Sequence, residues 1–184
     1  LPGQDGHPRE WRPRTQQPPA ELVDYVRQGG KIAAHNASFE RLIWRYVLRR
    51  MHPTVPPVLD KQWVCTAAMA AASGLPRSLE GALRALGVGI EKDAEGAKLI
   101  KVFCSPRKPT KKDPRTRIYP EDDPLRFDRF SEYCAHDVLG EKAVHAALPE
   151  LTPRERTMFL LDMRMNDRGL PIDLPMVRSA LTVV

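Results

Sequence analysis

Between residues 31 and 47 the hydrophobic period changes once, and that change fixes the local fold. Lys31-Ile32-Ala33-Ala34 is a short apolar run of the length of a buried strand. Phe39, Leu42, Ile43, Tyr46 and Val47 then recur at steps of three and four, the period of an amphipathic helix. Asn36 therefore stands where a strand turns into a helix, and Glu40 lies one turn further along the same face.

The rest of the chain is punctuated by proline and glycine. Residues 1–20 are rich in Pro, Gly, Gln and Arg around Trp11 and read as an irregular approach segment. A short helix is expected over residues 21–26, stopped by Gly29-Gly30. The helix after Asn36 is expected to fade near Arg49-Arg50, before the rigid Pro53, Pro56 and Pro57. A second strand is expected within 58–65, with Trp63 and Cys65 on one face. Residues 66–72 form a strong helix-forming run, and Ser78 is a plausible N-cap for a helix carrying Leu79, Leu83 and Leu86. Another helix is expected over 93–103, with Asp93 and Glu95 as acids at its positive end.

Residues 105–123 change character. Arg107, Lys108, Lys111, Lys112, Arg115 and Arg117 lie among prolines and are followed by Glu121-Asp122-Asp123, so a surface loop is expected. Either the loop is simply solvated or it contacts a phosphate backbone, where counterion release rewards basic residues. Phe127, Phe130, Cys134, Val138, Val144 and Leu148 then follow helical spacing, with Gly140 expected to divide the segment into two helices. Pro149 ends it, and Thr152-Pro153 opens a new helix carrying Met158, Leu161 and Met165.

A chain of 184 residues suits one domain, or one domain and the start of another. The net charge of +6 is compatible with a polyanionic partner without requiring one. Cys65, Cys104 and Cys134 are odd in number and lack C-x-x-C spacing, so they are expected to be reduced, core-type residues. No apolar run approaches the roughly 18 residues that span a membrane.

Hydrolysis of a phosphodiester needs an activated water and an offset for the charge developing on phosphorus and its oxygens. Two divalent cations about 3.5–4 Å apart supply both. Such hard cations take carboxylate oxygens, a role open to Glu40 and Asp137, both beside apolar helix positions. Tyr133 precedes Asp137 by one turn on the same face, where its hydroxyl can orient a water. Each of these residues also has a plain structural reading: Asn36 as a helix N-cap, Glu40 as a first-turn acid, and Tyr133 and Asp137 as a helix-surface pair. His35 and His136, beside the motifs, are expected to pack or hydrogen-bond.

Taken in order, Asn36-Ala37-Ser38-Phe39-Glu40 and Tyr133-Cys134-Ala135-His136-Asp137 resemble the second and third motifs of the proofreading 3′–5′ exonuclease superfamily with four acids and a tyrosine. Between them, Cys65-Thr66, Gly74-Leu75-Pro76-Arg77-Ser78-Leu79, Gly87 and Lys92-Asp93-Ala94-Glu95-Gly96 resemble the bacteriophage-type branch of family A DNA polymerases. The tail Arg168-Gly169-Leu170-Pro171-Ile172-Asp173 resembles the passage into the polymerase domain.

The resemblance implies a ribonuclease H-like α/β fold, a mixed sheet flanked by helices with its leading strands missing. It implies an exonuclease-like domain over residues 1–149 and the helical beginning of a polymerase domain over 150–184. It also implies Mg²⁺ or Mn²⁺ as cofactor and single-stranded DNA 3′ ends as partner, in a bacterial or phage-infected cytoplasm, with no membrane and no disulfide-linked partner. Glu40, Tyr133 and Asp137 take the catalytic roles, with Glu40 and Asp137 on metal. Asn36, Phe39, Lys92, Lys111, Lys112 and Arg115 are the candidate nucleic-acid contacts. The chain departs from the family in having Glu40 where Asp is usual, and in lacking an Asp-x-Glu upstream of Asn36. The chain alone is therefore expected to have little nuclease activity. Two other readings are a stand-alone ribonuclease D-like exoribonuclease and a degenerate, non-catalytic scaffold domain.

Overall fold

The structure, a computed structural model, describes residues 7–89, 93–111 and 113–183. It divides into two compact units, Leu1–Leu151 and Thr152–Val184.

The first unit is built on a two-stranded parallel sheet. β1 (Ile32–Ala34) pairs with β2 (Trp63–Cys65), setting Ile32 against Trp63, Ala33 against Val64 and Ala34 against Cys65. Helix α1 (Ala20–Arg27) leads into β1 through Gly29, whose φ of +86° suits a residue without Cβ. A buried amide locks this entry: Gln62 Nε2 donates to the carbonyls of Val26 and Gly30, both at 3.0 Å, while Gln62 Oε1 accepts from the Leu59 N–H. All three bonds are internal, so burial of this polar group costs little.

Between the strands runs one continuous helical stretch. It comprises α2 (Ser38–Leu42), a π-helical segment (Ile43–Leu48) and α3 (Arg49–Met51). The expected apolar stripe does not face the core: Phe39, Leu42, Ile43, Tyr46 and Val47 are all exposed, and Leu48 and Arg41 are buried instead. The reason lies on β2. Trp63 is 1% exposed, and Trp44 meets it edge-on at 6.4 Å. With Trp44 on that indole, the side of the helix that carries Phe39, Leu42, Ile43, Tyr46 and Val47 faces outward.

The remaining helices of this unit are α4 (Thr66–Ala72), α5 (Leu79–Ala85), α6 (Ala94–Phe103) and α7 (Pro124–Ala147). Ser78 caps α5 by accepting from the Gly81 N–H, and Asp93 caps α6 by accepting from the Gly96 N–H. Ala70, Ala82, Leu83 and Val144 form a buried cluster where α4, α5 and α7 meet. Each large side chain buried there stabilises the fold by about 1.5–3 kcal/mol. Gly140 does not divide α7, which continues through it for 24 residues with Gly140 buried. A glycine costs a helix about 1 kcal/mol, less than the packing of Tyr133 and Val144 on either side contributes. Cys65 is buried, but Cys104 and Cys134 are exposed, so only one of the three free thiols is a core residue.

The 105–123 loop is cross-braced. Arg107 pairs with Asp113, and Arg115 spans Asp113 and Asp122 at 2.9 Å each. Its guanidinium groups hold the Asp113 carboxyl down at about 2.

The second unit consists of α8 (Pro153–Arg168) and α9 (Leu174–Val183). Thr152 and Glu155 form a reciprocal capping box at the start of α8, and Gly169, at φ +68°, ends it. Among the described residues no helix is long and apolar enough to cross a membrane. Among the described residues the fold is thus mixed but helix-dominated, with one small parallel sheet.

Candidate active site

Two elements converge beside the C-terminal end of β1: the turn at residues 35–37 with α2, and the middle of α7. The turn is fixed by its backbone. Asn36 has a φ of +65°, a left-handed conformation that Asn tolerates better than most residues. Its carbonyl accepts from the Phe39 N–H at 3.1 Å, and Ala37 rather than Asn36 is the N-cap of α2. Asn36 is therefore not a side-chain cap, which removes the plain structural reading of its amide. Neighbouring His35 bridges the turn to the helical layer. Its Nε2 lies 2.8 Å from the Arg77 carbonyl and so donates, leaving Nδ1 to accept from the Thr66 hydroxyl at 2.9 Å. Burial lowers the His35 pKa, consistent with this neutral tautomer.

Tyr133, Asp137 and Glu141 follow at four-residue steps on α7, one above the other. Tyr133 is 8% exposed and stacks on Phe130 at 6.3 Å. It presses on α6 so closely that a Cβ built on Gly96 would stand 2.7 Å from its Cβ and Cδ2. Burial, then the hydrogen bond to Asp137 and the charge of Asp137, push the phenol up to about 12. Tyr133 is therefore a hydrogen-bond donor at every physiological pH. Asp137 is exposed, and its charge also reaches His35.

Glu141 is the member that sequence reasoning missed. Burial pushes its carboxyl up to about 7, opposed by a hydrogen bond from the His35 backbone N–H and assisted by the charge of Glu40. Glu40 and Glu141 line one cleft of ≈540 Å³, with Ala33 and Ala34 from β1 and Lys142 and His145 from α7. Glu40 is solvent-accessible, yet desolvation raises its pKa as well. The acid that Glu40 meets across the cleft is thus Glu141, one turn beyond Asp137. Extending the Tyr133–Asp137 spacing by one more step would have found it.

Of the candidate nucleic-acid contacts, Asn36, Phe39 and Lys111 are exposed, with Phe39 62% accessible. Arg115 is engaged with Asp113 and Asp122. Lys92 and Lys112 lie outside the described residues. Among the described residues no group of three or more His, Cys, Asp or Glu side chains is gathered closely enough to hold a metal ion. Glu40 and Asp137 do not make up a two-cation site between them.

The chain is 38% identical over 151 residues to a DNA polymerase of Bacillus phage SP02. That match covers 80% of this chain and 22% of that protein, so the chain spans about a fifth of the relative's length. No protein-family profile and no solved structure matches it.

Proposed function

Starting from a chain that is related along most of its length to a phage DNA polymerase, we propose that it forms the 3′–5′ exonuclease part of such a polymerase, on a ribonuclease H-like fold. The substrate is the 3′ end of single-stranded DNA. The observation that carries this reading is that His35 and Glu40 of the β1–α2 turn meet Glu141 of α7, while the charge of Asp137, one turn earlier on α7, reaches His35; the two segments are about 100 residues apart in sequence.

In this reading the Tyr133 hydroxyl, protonated throughout the physiological range, donates its one proton to Asp137 and accepts from the attacking water, which it holds in line. Asp137 accepts from Tyr133 and fixes its rotamer. Glu141 anchors α7 to the β1–α2 turn through the His35 N–H, which sets where Glu40 stands. Asn36, Phe39, Lys92, Lys111, Lys112 and Arg115 are the proposed contacts to the strand. Mg²⁺ or Mn²⁺ would supply Lewis acidity, and Glu40 and Asp137 would be among the residues that hold it. In this reading Glu40 and Asp137 supply part of that ligand set.

The test uses the polymerase that contains this chain, a 3′-labelled single strand and Mg²⁺. Asp137→Ala should abolish release of 3′ nucleotides and Tyr133→Phe should slow it, while primer extension, as the control for folding, stays intact. Wild-type degradation by Asp137→Ala would overturn the reading. A second reading, a scaffold domain without catalysis, draws on the low ligand count. It predicts no 3′ release by the unmutated polymerase.

A further inference from the structure

Glu40 and Arg41 are adjacent in sequence but line different clefts. Glu40 looks toward α7, whereas Arg41 lines a cleft of ≈340 Å³ with Trp44, Arg45, Arg49, Asp60 and Trp63. We propose that this second cleft binds nucleotide phosphate, with an extended single strand as the source. The proposal goes beyond the exonuclease reading because it uses none of that site's residues and no divalent cation.

Three arginines at four-residue steps form its basic wall. In an α-helix a four-residue step overshoots one turn by about 40°. The wider π turn, with its i→i+5 bonds, undershoots instead. Where α2 runs into the π-helical segment Ile43–Leu48 the two offsets oppose each other, so Arg41, Arg45 and Arg49 remain in one file. Successive members stand about 6 Å apart along the axis, a step that consecutive phosphates of an extended strand can follow. Each guanidinium presents a planar fork of donors that matches two phosphoryl oxygens.

At the floor, the Arg41 side chain is 8% exposed and pairs with the carboxylate of Asp60 at 3.8 Å. The Nε1–H of Trp63, in a side chain 1% exposed, is buried without an acceptor among the described residues. Trp44 is half-buried, its Nε1–H donating to the Pro56 carbonyl at 2.9 Å, and its ring contributes to the wall together with Pro57 and Val58. An indole face beside a file of guanidinium groups is the combination that takes a base and its phosphate together. The volume lies at the small end of ligand clefts, roughly 300–1,000 Å³, and suits a nucleotide unit rather than a folded partner.

The 184-residue chain is titrated against a labelled oligothymidylate in EDTA, reading fluorescence anisotropy at several salt concentrations. Without a divalent cation no hydrolysis is read, so failure here and failure of the exonuclease reading are separate results. The double substitution Arg45→Gln/Arg49→Gln, at two exposed positions, should weaken binding at least about tenfold. It should also make the salt slope shallower by about 1.4, two single-strand contacts at roughly 0.7 each. Val58→Asp, which adds a negative charge to the wall without touching an arginine, should give the same direction of loss. Thymidine monophosphate should displace the strand at lower concentration than inorganic phosphate does. Unchanged affinity and slope in both variants would overturn the proposal, and equal displacement by the two competitors would overturn its assignment to a nucleotide.

Discussion

Replacing Glu141 by Gln should alter the way stability depends on pH. The Glu141 carboxyl, ordinarily near 4.5, is pushed up to about 7 in the fold, chiefly by burial. Between those two values the folded protein retains a proton that the unfolded chain has released. Stability contributed by the protonated form is therefore complete below pH 4.5 and lost as pH rises through 7. A rise of about 2.5 pH units at 1.36 kcal/mol each sets an upper bound of about 3.4 kcal/mol. Partial solvent access reduces this to ~1–3 kcal/mol. Gln keeps an oxygen for the His35 N–H and carries no charge, so Glu141→Gln should match the wild type near pH 4.5 and exceed it by ~1–3 kcal/mol at pH 8. His35, whose pKa is lowered, acts in the opposite sense as pH falls, and Glu40, whose pKa is raised, acts in the same sense as Glu141. Both groups are common to the two proteins and largely cancel in the difference. Urea denaturation at pH 4.5, 6 and 8 at constant ionic strength measures it. A difference that does not change with pH would refute the assignment of Glu141 as a carboxyl buried near Glu40.

Gly96→Ala should gain about 1 kcal/mol of helix propensity and lose ~1–3 kcal/mol to the clash with Tyr133. A net loss in urea denaturation is expected, and a stabilised variant would show that α6 and α7 stand further apart. Ser78→Ala removes the cap of α5 and should cost about 1 kcal/mol in the same assay; no loss would mean that the hydroxyl is not the cap. Asp113→Asn weakens the brace shared by Arg107 and Arg115. Trypsin should then cut within 105–123 faster than in the wild type, with unchanged cleavage as the contrary result.

Local order was legible wherever a short-range rule decides it. Ser78 as a cap, Asp93 as an acid at a helix start, the glycine stop at Gly29, and the common face of Trp63 and Cys65 follow from hydroxyl, carboxylate and backbone chemistry confined to a few residues. What failed depended on distant partners. The apolar stripe from Phe39 to Val47 satisfied every rule for a buried helical face, but the periodicity cannot know that Trp63 sits elsewhere and takes Trp44. Gly140 looked like a break because propensity is counted locally, whereas Val144 and Tyr133 are held by neighbours from other helices. Asn36, Glu40, Tyr133 and Asp137 were visible as spaced residue types. Glu141 was not, because a carboxylate at a plain helical step acquires its character only from the burial and the facing Glu40 that folding brings.

The left-handed turn at Asn36 bears on how sequences related to this one diverge. A residue at φ +65° is selected by the backbone whatever its side chain touches. Asn, Gly and Asp satisfy that torsion, and a β-branched residue does not. Lineages that retain this strand-to-helix turn should therefore keep one of those three residues at position 36 even after catalysis has decayed. Glu40 bears no such backbone constraint and would be free to drift once its chemistry is no longer selected. The informative quantity in an alignment is then not how invariant position 36 is, but whether position 40 stays acidic in the sequences where position 36 has already passed to glycine.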